Sequence, residues 1–155
     1  MTFETAMPET ILYVEDDLND QILVQRALKK LASPVIVITA GDGDEAIACL
    51  QGQGKYNDRQ SFPLPSVIFL DIKLPRKSGF EVLDWLKNDA SLKQIPVVMV
   101  SGSNLQPDID KAYHLGASAY MVKPVEVEQL QKLFKLTGEF FLEHAEKPSF
   151  KLNFG

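Results

Sequence analysis

A chain of 155 residues, 45% hydrophobic and 24% charged, has the length of one domain and the composition of a globule, and it can hold a core without disulfides or a structural metal. Its net charge of −5 argues against binding along a nucleic-acid backbone, and its single cysteine, Cys49, excludes an internal disulfide and fits a reducing, cytoplasmic setting. The N-terminus lacks the basic-then-apolar pattern of a signal peptide and no apolar run approaches about 18 residues, so neither export nor a membrane span is expected.

Apolar runs and amphipathic stretches then alternate along the chain. Ile11–Val14 reads as a strand, Asn19–Leu31 as a helix with Leu23, Ala27, Leu28 and Leu31 on one face, and Val35–Thr39 as a β-branched strand. Asp44–Leu50 reads as a short helix, and the polar, Gly/Pro-punctuated stretch Gln51–Pro65 as an exposed loop. Val67–Leu70 is a strand ending at Asp71, and Gly79–Asn88 a helix with Val82, Leu83 and Leu86 inward. Val97–Val100 is a strand ending at Ser101, Asp108–Leu115 a helix, and Ala119–Val122 a strand ending at Lys123. A last helix is expected from Glu126 to about Glu143, followed by a tail whose Phe150 and Phe154 are placed to dock rather than to extend into solvent. Strands apolar throughout are buried on both faces, and their alternation with helices implies a parallel sheet with right-handed crossovers.

In an open α/β sheet the chemistry stands outside the carboxyl ends of the strands. There the sequence puts Glu15, Asp16 and Asp17, then Asp71, then Ser101 and Gly102, then Lys123 and Pro124. A helix cap explains one acid, not three together with Asp71. Carboxylates that would otherwise repel one another call for a positive group among them. Asp16, Asp71 and Glu15 form an all-oxygen candidate site for a hard divalent cation, Mg²⁺ (or Mn²⁺). No His or Cys cluster favours zinc.

The stretches VEDD, FLDIKLPRKSG, VVMVSGS and GASAYMVKP, in this order and each at an expected strand end, resemble the receiver domain of two-component response regulators over about residues 10–137. The resemblance implies a flavodoxin-like (βα)5 fold: a doubly wound, five-stranded parallel sheet of strand order 2-1-3-4-5. It implies a single receiver domain over 1–155, with a core of about 10–143, a tail over 144–155 and no output domain. Asp71 would be the phosphoacceptor, taking a phosphoryl group from a phosphohistidine on a sensor histidine kinase. Asp16 would bind Mg²⁺ directly, Glu15 through water, and the backbone carbonyl of Lys73 would be a further ligand. Ser101 and Lys123 would each contact a phosphoryl oxygen, and Gly102 would leave room beside Ser101. Pro124 would follow a cis peptide, and Ser101 with Tyr120 would form the switch, Tyr120 turning inward.

The switched surface would be the face of the fourth helix, fifth strand and fifth helix, which also serves as the expected homodimer interface. In the alternative, Phe150 and Phe154 fold back and cover the apolar last helix within one chain. The long loop and the GEFFLEHAEKP tail resemble stand-alone regulators that partner cyanobacterial phytochrome kinases, which implies light signalling. A phosphorelay intermediate and a receiver-like module that works without phosphorylation are the alternatives within the family. An Asp-nucleophile phosphatase would carry a second Asp where Lys73 stands, and a flavin carrier would not put three acids in its phosphate loop. The protein is thus expected to be no enzyme beyond its own phosphorylation and dephosphorylation, with no nucleic acid or membrane among its partners.

Overall fold

A computed structural model describes residues 9–31, 34–133 and 152–154. The apolar runs become β1 (Glu9–Val14), β2 (Val35–Ala40), β3 (Val67–Leu70), β4 (Val97–Ser101) and β5 (Ala119–Val122). Between them lie α1 (Leu18–Lys29), α2 (Gly43–Gln51), α3 (Gly79–Lys87) and α4 (Gln106–His114). A further helix, α5, covers residues 127–133. The five strands run parallel in the order 2-1-3-4-5, the flavodoxin-like arrangement expected.

The sheet is wider than expected by one short strand. β6 (Leu152–Phe154) adds parallel to β5, with Ala119 opposite Leu152 and Met121 opposite Phe154. The backbone of Leu152–Phe154 therefore lies on β5 of its own chain. The expected helix beyond residue 133, with Phe134, Leu136, Phe140, Phe141 and Leu142, falls outside the described residues, as do His144 and Phe150 of the tail.

Alternation along the strands divides the core between the two sheet faces. Leu12, Val14, Ile68, Leu70 and Met99 point to the side covered by α2, α3 and α4. Ile11, Tyr13, Phe69, Val98 and Val100 point to the side covered by α1 and α5, which supply Val24, Ala27, Leu28, Leu130 and Leu133. The central strands β1, β3 and β4 are buried on both sides because helices cover both, whereas β2 at the sheet edge is partly open, with Ile36 42% exposed.

Two expectations need correction. Leu23 is 55% exposed, and Val24 takes its place on the inner face of α1 with Ala27 and Leu28. The sheet meets the stripe 24, 27, 28 and 31, and residue 23 sits one position off its edge. The stretch Gln51–Pro65 is not simply an exposed loop. It contains a 3₁₀ turn (Gly54–Asn57) that buries Tyr56, whose hydroxyl donates to Glu45 Oε1 at 2.6 Å. Arg59 donates to the Cys49 and Leu50 carbonyls, both at 2.9 Å, and so satisfies the open C-terminal end of α2.

Candidate functional site

The sheet register builds the rim. Val14 pairs with Leu70, so Glu15 and Asp71 leave β1 and β3 side by side. The ladder runs one step further, with the Asp71 N–H donating to the Val14 carbonyl at 3.1 Å and the Glu15 N–H to the Ala40 carbonyl at 2.9 Å. Across β4 and β5, Ser101 pairs with Val122, and the Lys123 N–H donates to the Ser101 carbonyl at 2.8 Å. The Lys123–Pro124 peptide is cis. Behind Asp71 the chain is drawn in tightly: a Cβ on Gly79 would lie 2.0 Å from the Asp71 carbonyl oxygen, so only glycine fits there.

The positive group that the acids call for is Lys123. Its Nζ donates to Glu15 Oε1 at 2.5 Å, to Asp71 Oδ2 at 2.8 Å and to Asp20 Oδ2 at 2.8 Å. Burial works against the ammonium, but its hydrogen bonds to Asp20, Asp71 and Glu15 outweigh that cost and raise its pKa. Glu15 is buried at 1% exposure. Burial, with the Asp71 charge adding to it, pushes its carboxyl up to about 7, against the pull of its hydrogen bonds from Lys123 and Asp17. Tyr13 donates to Glu15 Oε1 at 3.2 Å and the Asp17 N–H to Oε2 at 3.1 Å. Burial first and Glu15 second raise the Tyr13 phenol, which stays a donor.

The expected site residues fall as follows. Asp71 is buried at 5% exposure and accepts from the Lys73 N–H at 3.3 Å, while the Lys73 side chain stands in solvent. Asp16 is exposed at the rim. Carboxylate oxygens of Glu15, Asp16 and Asp71 lie within 4.8 Å of one another. The simple capping role goes to Asp17, whose side chain accepts from the Asp20 N–H at 3.1 Å. Ser101 is buried at the end of β4, and its Oγ accepts from the Ser103 N–H at 3.2 Å. A Cβ at Gly102 would meet nothing within 4 Å, so space beside Ser101 is open. Tyr120 is fully buried and already inward, its hydroxyl donating to the Ser103 carbonyl at 2.8 Å.

Asp20, Tyr13, Gln21 and Ser103 escaped the sequence reading. Gln21 Nε2 donates to the Glu15 carbonyl at 2.5 Å. Asp20 had only an ambiguous signal: it lies in the first turn of α1, where an acid equally suits the helix N-terminus. Tyr13 and Ser103 had none, because each acts through a strand neighbour or a backbone carbonyl.

The residues fit a hard divalent cation. The donors are oxygens only, two of the three are buried, and the third faces solvent, leaving room for the water that Mg²⁺ keeps. A parallel sheet of this order, with paired acids, a hydroxyl and a lysine at its carboxyl ends, defines the receiver class of α/β domains. The chain belongs to the response regulator receiver domain family, whose model matches residues 11–135. It is 37% identical to the response regulator Rcp1 of Synechocystis over 149 residues, which cover 96% of this chain and 99% of Rcp1. Among solved structures it is similar to the phosphorylated cyanobacterial phytochrome response regulator RcpA (39% identity, 88% of this chain and 95% of that one, TM-score 0.73). It is also similar to the Mn²⁺-bound form of Rcp1 (38% identity, 88% and 96% covered, TM-score 0.71).

Proposed function

We propose that this protein is a response regulator that accepts a phosphoryl group on Asp71 from a sensor histidine kinase, with Mg²⁺ or Mn²⁺ held by Asp16, Asp71, Glu15 and the Lys73 carbonyl. The observation that carries this reading is the buried Asp71 carboxylate, gripped by Lys123 at 2.8 Å and adjoining the acid cluster. In the transfer, an Asp71 carboxylate oxygen attacks phosphorus and the P–O bond forms as the P–N bond to the donor imidazole breaks. The electron pair leaves with the imidazole nitrogen; the donor's other ring nitrogen carries a proton beforehand, so the donor ends as neutral histidine. The bound cation supplies charge neutralisation on the phosphoryl oxygens. Lys123 carries the fixed positive charge, Ser101 offers a hydroxyl, and burial of Asp71 keeps its carboxylate dry and aimed.

A docking surface adjoins the rim. Leu18 is 71% exposed, Ile22 47% and Leu23 55%, an apolar stripe on α1 beside the acids. It suits the helical segment of a kinase that brings its phosphohistidine to Asp71. The likeness to RcpA and Rcp1 supports a phytochrome kinase as that partner, and hence light signalling. The signal would leave through Ser101 and Tyr120 to the face of α4, β5 and α5, where two copies would associate. Because β6 lies on the edge of β5, that homodimer would use the helical faces rather than pair strands.

Intact mass after incubation with acetyl phosphate and Mg²⁺ tests the reading. One added phosphoryl group is expected, absent with EDTA and absent in Asp71→Asn. An unchanged mass for the wild type, with cation binding seen by calorimetry, would overturn it.

A further inference from the structure

We propose that Asp20 is a positioning residue that tethers the Lys123 ammonium at the rim while Glu15 and Asp71 change partners. This rests on Asp71 being the phosphoacceptor. An ammonium has three N–H donors, and in this structure all three are spent, on Glu15, Asp71 and Asp20. A phosphoryl oxygen can be reached only if one of these bonds is released.

The three acceptors do not have the same future. Asp71 gives up its carboxylate charge when it becomes an acyl phosphate, so its hold on Lys123 weakens at the moment of transfer. Glu15 belongs to the cluster whose oxygens face one another within 4.8 Å, and a cation there draws on its charge. Asp20 stands outside that cluster. It sits in the first turn of α1, where the Asp17 cap fixes its backbone through a 3.1 Å bond to its N–H. Only the Asp20 bond to Lys123 therefore lasts through both events. The released N–H then points to the vacated side, where the phosphoryl group sits.

The tether has a physical use. A lysine side chain freed from its partners regains rotamer entropy, which it must lose again to reach the phosphoryl oxygen. A carboxylate on a rigid helix turn keeps the head group within reach. Asp20 is a third exposed and Lys123 about a sixth (side chains 33% and 17%), so the pair is wet enough to pivot yet dry enough to hold.

Two measurements test the tether in Asp20→Asn, Asp20→Glu, Lys123→Gln and the Asp20→Asn/Lys123→Gln double variant, with Lys123→Met as the second choice if Lys123→Gln folds poorly. The first is the rate of phosphoryl uptake at saturating acetyl phosphate and Mg²⁺. Asp20→Asn should slow it about tenfold in the presence of Lys123 and have no further effect in Lys123→Gln, with Asp20→Glu restoring most of the rate. The second is the Asp20–Lys123 coupling in urea melts, with and without Mg²⁺. The coupling should persist when Mg²⁺ is bound, as at least about a threefold change in the unfolding constant. Equal slowing in both backgrounds, or a coupling that disappears with Mg²⁺, overturns the tether. If the wild type takes up no phosphoryl group, the phosphoacceptor reading fails separately, and the coupling with Mg²⁺ alone decides whether Asp20 holds Lys123.

Discussion

Two half-buried lysines on this molecule meet opposite fates. Lys123 stands at the sheet rim among three carboxylates, and those partners raise its pKa despite its burial. Lys87, at the end of α3, has no carboxylate partner among the described residues. Its Nζ donates to the Lys93 and Ile95 carbonyls, both at 3.0 Å, and burial lowers its pKa to about 8. It runs over Gly116, where a Cβ would lie 2.9 Å from Lys87 Cγ. Burial alone therefore does not decide what a lysine does; the charge of its acceptors does. Two carbonyls need only two N–H groups, which a neutral amine still has, so Lys87 clamps the segment before β4 in either protonation state. Lys123 must remain charged, because its partners are anions that would otherwise face one another.

Removing each lysine sharpens the contrast. The largest effect is expected for Lys123→Met in the absence of divalent cation. It leaves buried carboxylates without a counter-charge and should cost about 3 kcal/mol in urea melts. Added Mg²⁺ should recover much of that loss, because a cation then takes over the neutralisation. Persistence of the loss at saturating Mg²⁺ would break the account of the acid cluster.

Lys87→Met should cost less, about 1–2 kcal/mol for two lost bonds to carbonyls, and Mg²⁺ should restore none of it. Its pH signature is distinct. The folded value, about 8, lies below the ordinary 10.5, so between them the unfolded chain keeps a proton that the folded chain has shed. Stability relative to Lys87→Met should therefore rise with pH across that window. The tyrosines whose pKa is raised titrate alike in both proteins and drop out of the difference. A flat difference would mean that Lys87 is not desolvated.

The smallest effect is expected at an exposed cation. Arg76 pairs with Asp42 at 3.3 Å while two-thirds exposed, and its φ is +69°. The ion pair is worth little in water, whereas a non-glycine residue in the left-handed region is strained. Arg76→Gly should change stability by no more than about 1 kcal/mol, towards greater stability. Marked destabilisation would show that the exposed pair matters more than its solvation allows.

The fold class and most of the rim were legible in the order of residues alone. Short apolar runs alternating with amphipathic stretches read as strands of a parallel sheet, and the ends of those runs named Glu15, Asp71, Ser101 and Lys123. Local chemistry also sets the start of α3, where Ser78 and Glu81 form a capping box. What the sequence left open depends on contacts between distant positions. Nothing near Asp20 says that it meets a lysine 103 residues away. Only the parallel register of β1, β3 and β5 brings α1's first turn over that ammonium. Division of labour among three adjacent acids was likewise undecidable from spacing. Asp17 caps, Glu15 is buried and Asp16 faces solvent because the strand ends and the helix turns at those residues. Tyr56 and Arg59 looked like loop, since a polar stretch does not reveal that one ring fills the core and one guanidinium closes the end of α2. The strand Leu152–Phe154 was invisible for the same reason: three residues carry no periodicity, and it was the open edge of β5 that gave them a partner.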